Sequence, residues 1–438
     1  MDPLVLGLLA AVVLVFLLLT GMPVAFALGF TAITFLLIED GVGAFEVVAD
    51  TLFGALDEFA LLSIPMFLLM GSAIAASRAG PDLYEAIDRW LYRVPGGLLI
   101  SNIGACGVFA ALTGSSPATC AAIGKMGIPE MRQRGYPASL ATGAIAAGGT
   151  LGILIPPSIT MIVYGIATET SIGRLFLAGL IPGFMLMLLF MAWSWFYAYS
   201  KGYHFSEEGK RFTLRDKLVI LPKILPFLTI IVLVLWALYG GVATPSEASG
   251  VGALVCILLV MLIYRVWQPS KLWEIVRSAT RESVMLMMII GMAGLFSYMM
   301  SSLYITQGVA EWIAGLEVNK WQLLFYVNIF LLVAGFFLPP VAVILMTAPT
   351  IVPIIIQAGF DPIWFGVILT LNMEIGLITP PVGLNLYVIN GIVKDVDLKT
   401  VLWGALPFML CLVLGIFLLT LFPAIATWLP DYLMGPVR

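Results

Sequence analysis

The chain has 438 residues, 61% of them hydrophobic and 11% charged, with a mean hydropathy of +1.07. That balance excludes a soluble globular domain and indicates a multi-pass protein of the lipid bilayer. The formal net charge of −4 is spread over short loops without a basic tail, so no nucleic-acid partner is expected.

Apolar runs long enough to cross a bilayer fall at about 4–38, 60–76, 98–112, 140–167, 175–199, 218–238, 250–264, 284–303, 323–348, 363–392 and 401–429. The first has neither a basic leading region nor a small-residue cleavage site and reads as a retained span rather than a signal peptide. Several runs exceed the ~20 residues that a spanning helix needs. Their internal Gly and Pro predict kinked, re-entrant or hairpin segments. Between Pro81 and Val94, DLYEAIDRWLYRV alternates apolar and charged positions at helical spacing and predicts an amphipathic helix lying in the interface.

The stretch from Gly148 to Ser158, GGTLGILIPPS, breaks a helix at membrane depth. Its glycines raise the backbone entropy cost, its prolines remove amide donors, and lipid supplies no water to the carbonyls left over. The same device returns as GLITPPVG from Gly376 to Gly383. Gly152, Pro156 and Pro157 recur as Gly376, Pro380 and Pro381, each 224 residues on. Two broken helices in corresponding halves point to a substrate and ion site in a secondary transporter. Pro23 and Pro245, Ser63 and Ser283, Gly71 and Gly291, Pro117 and Pro340, and Pro182 and Pro407 extend the repeat at offsets of 220 to 225. Frequent Gly and Pro explains single matches, but not their order.

Loop charge predicts opposite orientations for the two halves. The region of Lys125, Arg132 and Arg134 is basic, whereas its counterpart at 357–362 carries Asp361 and no Lys or Arg. The basic segments 201–223 and 265–281 are expected on the cytoplasmic side, and the acidic segment 39–58 outside. The repeats are then inverted, with both termini periplasmic.

Chemistry-bearing residues are few. Cys106, Cys120, Cys256 and Cys411 stand singly in apolar segments, and the only histidine, His204, lies in a charged loop. Zinc sites, a disulfide framework and a histidine-based triad are therefore not expected, and the chain does not read as an enzyme. Gly124-Lys125 is no phosphate loop, because Thr119 and Met126 occupy positions that the pattern reserves for Gly and Ser/Thr. Energy then comes from an ion gradient or another chain. Residues 113–124, TGSSPATCAAIG, read as the tip of a re-entrant hairpin, with close helix packing as the alternative. Glu374 and Asn385 are polar groups at membrane depth; for Glu374 a functional role and a structural one stand side by side. Met285, Met287, Met288 and Met292 read as adaptable packing.

Together, GMPVAFALG, SIPMFLLMGSAIAASRAG, TGSSPATCAAIGKMG, YGGVATPSEASGVGA and GLITPPVGLNLYV resemble the large membrane subunit of the tripartite ATP-independent periplasmic (TRAP) transporters, over essentially the whole chain. The resemblance implies an all-α polytopic membrane protein with inverted-topology repeats, two re-entrant hairpins and two broken helices. It implies an elevator: a scaffold and a transport domain that carries sodium ions and one organic anion across the bacterial inner membrane. On this division 1–93 form the scaffold and arm of the first repeat, 94–199 its transport half, 200–217 a cytoplasmic loop, 218–321 the second scaffold and arm, and 322–438 the second transport half with the last span. Implied partners are a small membrane subunit and a soluble periplasmic binding protein that delivers the substrate. No cofactor is implied beyond sodium as coupling ion.

Carried residue by residue, the resemblance places one sodium site at Thr113, Ser116, Gly152, Ile155 and Pro157 and a second at Gly335, Gly376, Thr379 and Val382. Ser115, Thr119 and Asn385 are candidates for the substrate. Hard oxygen ligands suit sodium. Relatives often carry an acidic residue in the second hairpin where this chain has Pro339. The substrate remains open among four-carbon dicarboxylates, sialic acid, ectoine-like solutes and sugar acids. A stand-alone dicarboxylate symporter or ion antiporter of related fold is the competing reading, and a co-purifying small subunit separates the two.

Overall fold

The computed structural model describes residues 2–91, 94, 96–202, 213–315 and 318–435, and every regular element among them is helical. The first apolar run is two helices, α1 (Pro3–Leu19) and α2 (Val24–Asp40), rather than one span. Gly21, at φ +84°, turns the chain, and Pro23 leads into α2 without an amide to satisfy. The acidic segment expected as a loop at 39–58 is largely α3 (Ala44–Leu56), which meets α4 (Ser63–Ala75) at a 61° bend. Next comes the predicted amphipathic helix, α5 (Ala79–Leu91). It buries Leu83, Ala86 and even Asp82, whose carboxylate accepts a 3.1 Å hydrogen bond from Tyr264. Residues 92 and 93 of that stretch lie outside the described residues.

Helices α6 (Gly97–Thr113) and α7 (Ser116–Gln133) form a hairpin whose turn is only Gly114 and Ser115. The expected tip at 113–124 is shorter because Pro117 sits in the first turn of a helix, where a missing amide costs nothing. Lys125 and Arg132 consequently belong to a helix, not a loop. After them run α8 (Ala138–Thr150), a 3-10 turn at Leu151–Ile153, α9 (Ile159–Ala167) and the long α10 (Ile172–Ser200). His204 and most of the central loop, 203–212, lie outside the described residues.

The second half opens with α11 (Leu214–Tyr239) and α12 (Pro245–Ile263), each started by a capping box, Thr213 with Asp216 and Thr244 with Glu247. The basic segment expected as a loop at 265–281 mostly belongs to α13 (Pro269–Ser302). Pro269 is preset for a helix start, and the Lys, Arg and Glu that follow are good helix formers. Then come α14 (Ile305–Ala314), a second hairpin of α15 (Lys320–Phe337) and α16 (Pro340–Gln357), α17 (Pro362–Leu377), α18 (Leu384–Ile392), α19 (Leu398–Leu421) and α20 (Ala424–Met434). The last apolar run is thus split near Pro423. Among the described residues six helices are long and apolar enough to cross a membrane singly. The order hairpin, broken helix, long helix occurs twice, as α6 to α10 and as α15 to α19.

The centre is formed by α6, α8 and α17, which are apolar all round and buried along nearly their whole length, as such helices must be. Glycine lets α8 approach α19 to backbone contact. A Cβ on Gly404 would lie 1.8 Å from the Ser139 carbonyl oxygen, and one on Gly143 would lie 2.0 Å from the Gly404 carbonyl carbon. Gly404→Ala is therefore expected to destabilise the protein by about 1–3 kcal/mol, read as a lower midpoint of thermal unfolding in detergent. Gly250→Ala, where a Cβ meets nothing within 4 Å, should leave the midpoint unchanged or raise it.

Candidate functional site

Each half brings a hairpin tip against a broken helix. In the first, Gly114 adopts the left-handed conformation at φ +60°, and a Cβ there would lie 2.6 Å from the Pro157 carbonyl oxygen. A Cβ on Gly152 would lie 2.9 Å from the Ser115 carbonyl and 3.0 Å from the Ser116 nitrogen. Thr113, Ser116, Gly152 and Pro157 therefore meet, with Ile155 in the same buried segment, its side chain packed at Gly107 and Gly183. Ser158 closes the break: its hydroxyl accepts from the Met161 amide at 3.2 Å, capping α9, and donates to the Ile153 carbonyl.

The second half repeats the approach. A Cβ on Gly376 would lie 2.5 Å from the Gly335 carbonyl oxygen, and the Val382 amide donates to the Phe336 carbonyl at 3.1 Å. Thr379 lies in this segment, its hydroxyl donating to the Ile375 carbonyl at 2.7 Å. The Pro156-Pro157 and Pro380-Pro381 peptides are both cis. The environments differ: 151–158 is wholly buried, whereas Pro380, Pro381 and Val382 are exposed.

A signal that sequence reasoning missed links these positions. Thr113, Gly152, Gly335 and Gly376 each precede a proline by four residues, namely Pro117, Pro156, Pro339 and Pro380. A helical carbonyl at position i is normally met by the amide of i+4, and proline has none. Among the described residues no hydrogen bond ends on the carbonyls of Thr113, Gly152, Gly335, Ile155, Pro157 or Val382, whereas that of Gly376 accepts from the Thr379 amide at 3.3 Å. Unpartnered carbonyl oxygens in a protein interior are costly unless something polar meets them, and they suit a hard cation. Pro339 thereby has a role of its own, freeing the Gly335 carbonyl.

The remaining predicted residues separate by environment. Ser115 is half-buried and lines a cavity. Thr119 is buried, its hydroxyl donating to the Ser115 carbonyl at 2.9 Å and lying 3.2 Å from that of Thr113. Asn385 is also buried; its amide nitrogen donates to the Ser116 hydroxyl at 2.8 Å and the Ala146 carbonyl at 2.9 Å, tying α18 to the first hairpin and to α8. Thr119 and Asn385 thus brace the first tip from within.

Glu374, wholly buried, meets Thr150 at 3.1 Å, and its second oxygen has no hydrogen-bond partner. Thr150 was not singled out in the sequence, yet it precedes Glu374 by the repeat distance of 224 residues. Asn372 likewise donates to Asn328 at 2.6 Å, joining α17 to α15. Among the described residues no three His, Cys, Asp or Glu side chains cluster as metal ligands.

Comparison with known proteins gives this arrangement its class. Residues 11–425 match the family described as "Tripartite ATP-independent periplasmic transporter, DctM component". A C4-dicarboxylate TRAP transporter large permease protein from Pseudomonas aeruginosa is 40% identical over 88% of this chain and 90% of its own. One from Rhodobacter capsulatus is 35% identical over 96% of this chain and 98% of its own. Among solved structures, the YdaH transporter of Alcanivorax borkumensis shares the fold at a TM-score of 0.61, with 16% identity and 91% of each chain covered. The protein is a multi-pass transporter of the inner membrane and not an enzyme. The chain belongs to the DctM family, the large permease subunits of TRAP transporters, and acts in secondary transport of small organic anions.

If Asn385 braces the first tip, Asn385→Ala and Ser116→Ala should each cost about 1–3 kcal/mol of stability. Their double mutant should cost clearly less than the sum. Thermal unfolding of the four proteins in detergent measures the coupling, and strict additivity would show that the two side chains act independently.

Proposed function

We propose that this chain is the transport subunit of a sodium-coupled importer that receives a small organic anion from a periplasmic binding protein and moves it by an elevator mechanism beside a small membrane subunit. The observation that carries the reading is the pairing of tip and broken helix in both halves, with the carbonyls of Thr113, Gly152 and Gly335 left without an amide donor. One sodium ion is held by the carbonyls of Thr113, Gly152, Ile155 and Pro157 with Ser116, the other by those of Gly335, Gly376 and Val382 with Thr379. Carbonyl cages of this kind carry no charge of their own, so the carrier need not move buried carboxylates to bind sodium.

The repeats are inverted in this reading, with both termini periplasmic. A cysteine at exposed Gln357 should label from the periplasm and one at exposed Gln133 only from the cytoplasm. Impermeant maleimide on intact cells, then on permeabilised cells, measures this, and labelling of both from one side removes the inversion.

Uptake into liposomes tests the coupling. Uptake by the large subunit alone should be absent at physiological substrate levels and appear when the small subunit and binding protein are added. Robust transport by the purified single chain would favour a stand-alone carrier. The Thr379 hydroxyl gives its proton to Ile375 and keeps a lone pair for a cation. Thr379→Val removes that oxygen, which at about 1–3 kcal/mol raises the sodium concentration for half-maximal uptake roughly tenfold. Thr379→Ser should remain near wild type, and Ile155→Val should change little. Unchanged sodium dependence in Thr379→Val would remove its hydroxyl from the site.

A further inference from the structure

A cavity of about 570 Å³ lies between the first hairpin tip and helices α4, α5 and α13, a size that suits a small organic solute. Ala118, Ala122 and Lys125 contribute one stripe of α7 to its wall, at spacings of three and four residues that share a helix face, and Ser115 in the turn just before α7 continues it. The alanines leave a recess, and Lys125 stands at one end of it. Glu274 and Glu282 of α13 line the cavity from the other side. Lys125 forms no ion pair with either, nor with any other described residue. The cavity is therefore lined by a cation and two carboxylates that form no ion pair with one another.

At the other end of the stripe, the N-terminus of the 18-residue α7 begins at Ser116, beside the Thr113 and Ser115 hydroxyls. The backbone of Lys125 is about 15 Å from that of Ser115 along the helix. Lysine leans toward the N-terminus of its helix, which shortens the gap to a few carbon atoms' length.

We propose that this cavity holds the transported solute, its carboxylate on Lys125 and its hydroxyl groups bonded to Ser115 at the tip and Glu282 across the cavity. The favoured class is then a hydroxylated monocarboxylate rather than a dicarboxylate. A second carboxylate would face Glu274 and Glu282, and like charges brought together in a partly desolvated site repel. Hydroxyl donors, by contrast, make charge-assisted hydrogen bonds to those same oxygens. The assignment rests on the transport reading above and adds the solute class to it.

The test places a cysteine at Ala118 of the full chain, in a Cys411→Ser background because Cys106, Cys120 and Cys256 are buried. Its reaction with an anionic and a cationic methanethiosulfonate is followed in membrane vesicles. The anionic reagent should react about tenfold faster with Lys125 present than in Lys125→Gln, and Lys125→Arg should restore the rate. Gluconate should protect the cysteine at lower concentration than succinate does, and its half-protecting concentration should rise about tenfold in Lys125→Gln. Rates and protection that ignore Lys125, or stronger protection by succinate, overturn the assignment. Sodium-driven uptake by the complete complex, measured in parallel, separates the two levels. Uptake that continues at unchanged solute affinity in Lys125→Gln overturns the assignment while leaving the transport reading in place.

Discussion

The constraint on which the rest of this structure depends is the carbonyl that proline leaves without a donor inside an apolar protein. A helix satisfies its backbone internally, and lipid offers nothing to replace a lost bond. The chain nevertheless leaves the carbonyls of Thr113, Gly152 and Gly335 without a donor, each with proline four residues on. Such oxygens persist only where protein surrounds them and something polar meets them, so the surrounding packing has to be tight and continuous. That requirement explains why α6, α8 and α17 are buried along nearly their whole length, although a helix at the lipid boundary needs only one covered face.

Glycine makes the arrangement possible at the points of closest approach. Gly152 touches the backbone of the first tip and Gly376 that of the second, at distances a Cβ would occupy. The same substitution of space for side chain brings α8 against α19 at Gly143 and Gly404. Small side chains thus serve two ends: they bring oxygens from separate segments together, and they close the helices around them without a polar filling.

Much of this was legible in the sequence because the device is written in residue types that have few other uses. The PP pairs and their glycines located both broken helices, and the constant offset located the second from the first. Hairpin tips were less legible: small and hydroxylated residues at 113–124 read as a long turn, while the helix restarts at Ser116 because Pro117 favours a first turn. Charge misled at 265–281, where Lys and Arg mark polarity but also form helix readily, so a predicted loop is the start of α13. Pairings across the fold, such as Asn385 with Ser116, left no trace in local pattern because the partners are 269 residues apart.

Thr150 and Glu374 show what the repeat adds beyond local pattern. These two residues stand at corresponding positions of the repeat and are in hydrogen-bond contact. Their pairing places the centre of the molecule between the two broken helices, two residues before Gly152 and Gly376 respectively. The halves are nonetheless not equivalent. The first break is sealed, with Ser158 tying its ends, whereas Pro380 to Val382 of the second lie open. The second position therefore lies nearer the surface of the chain than the first.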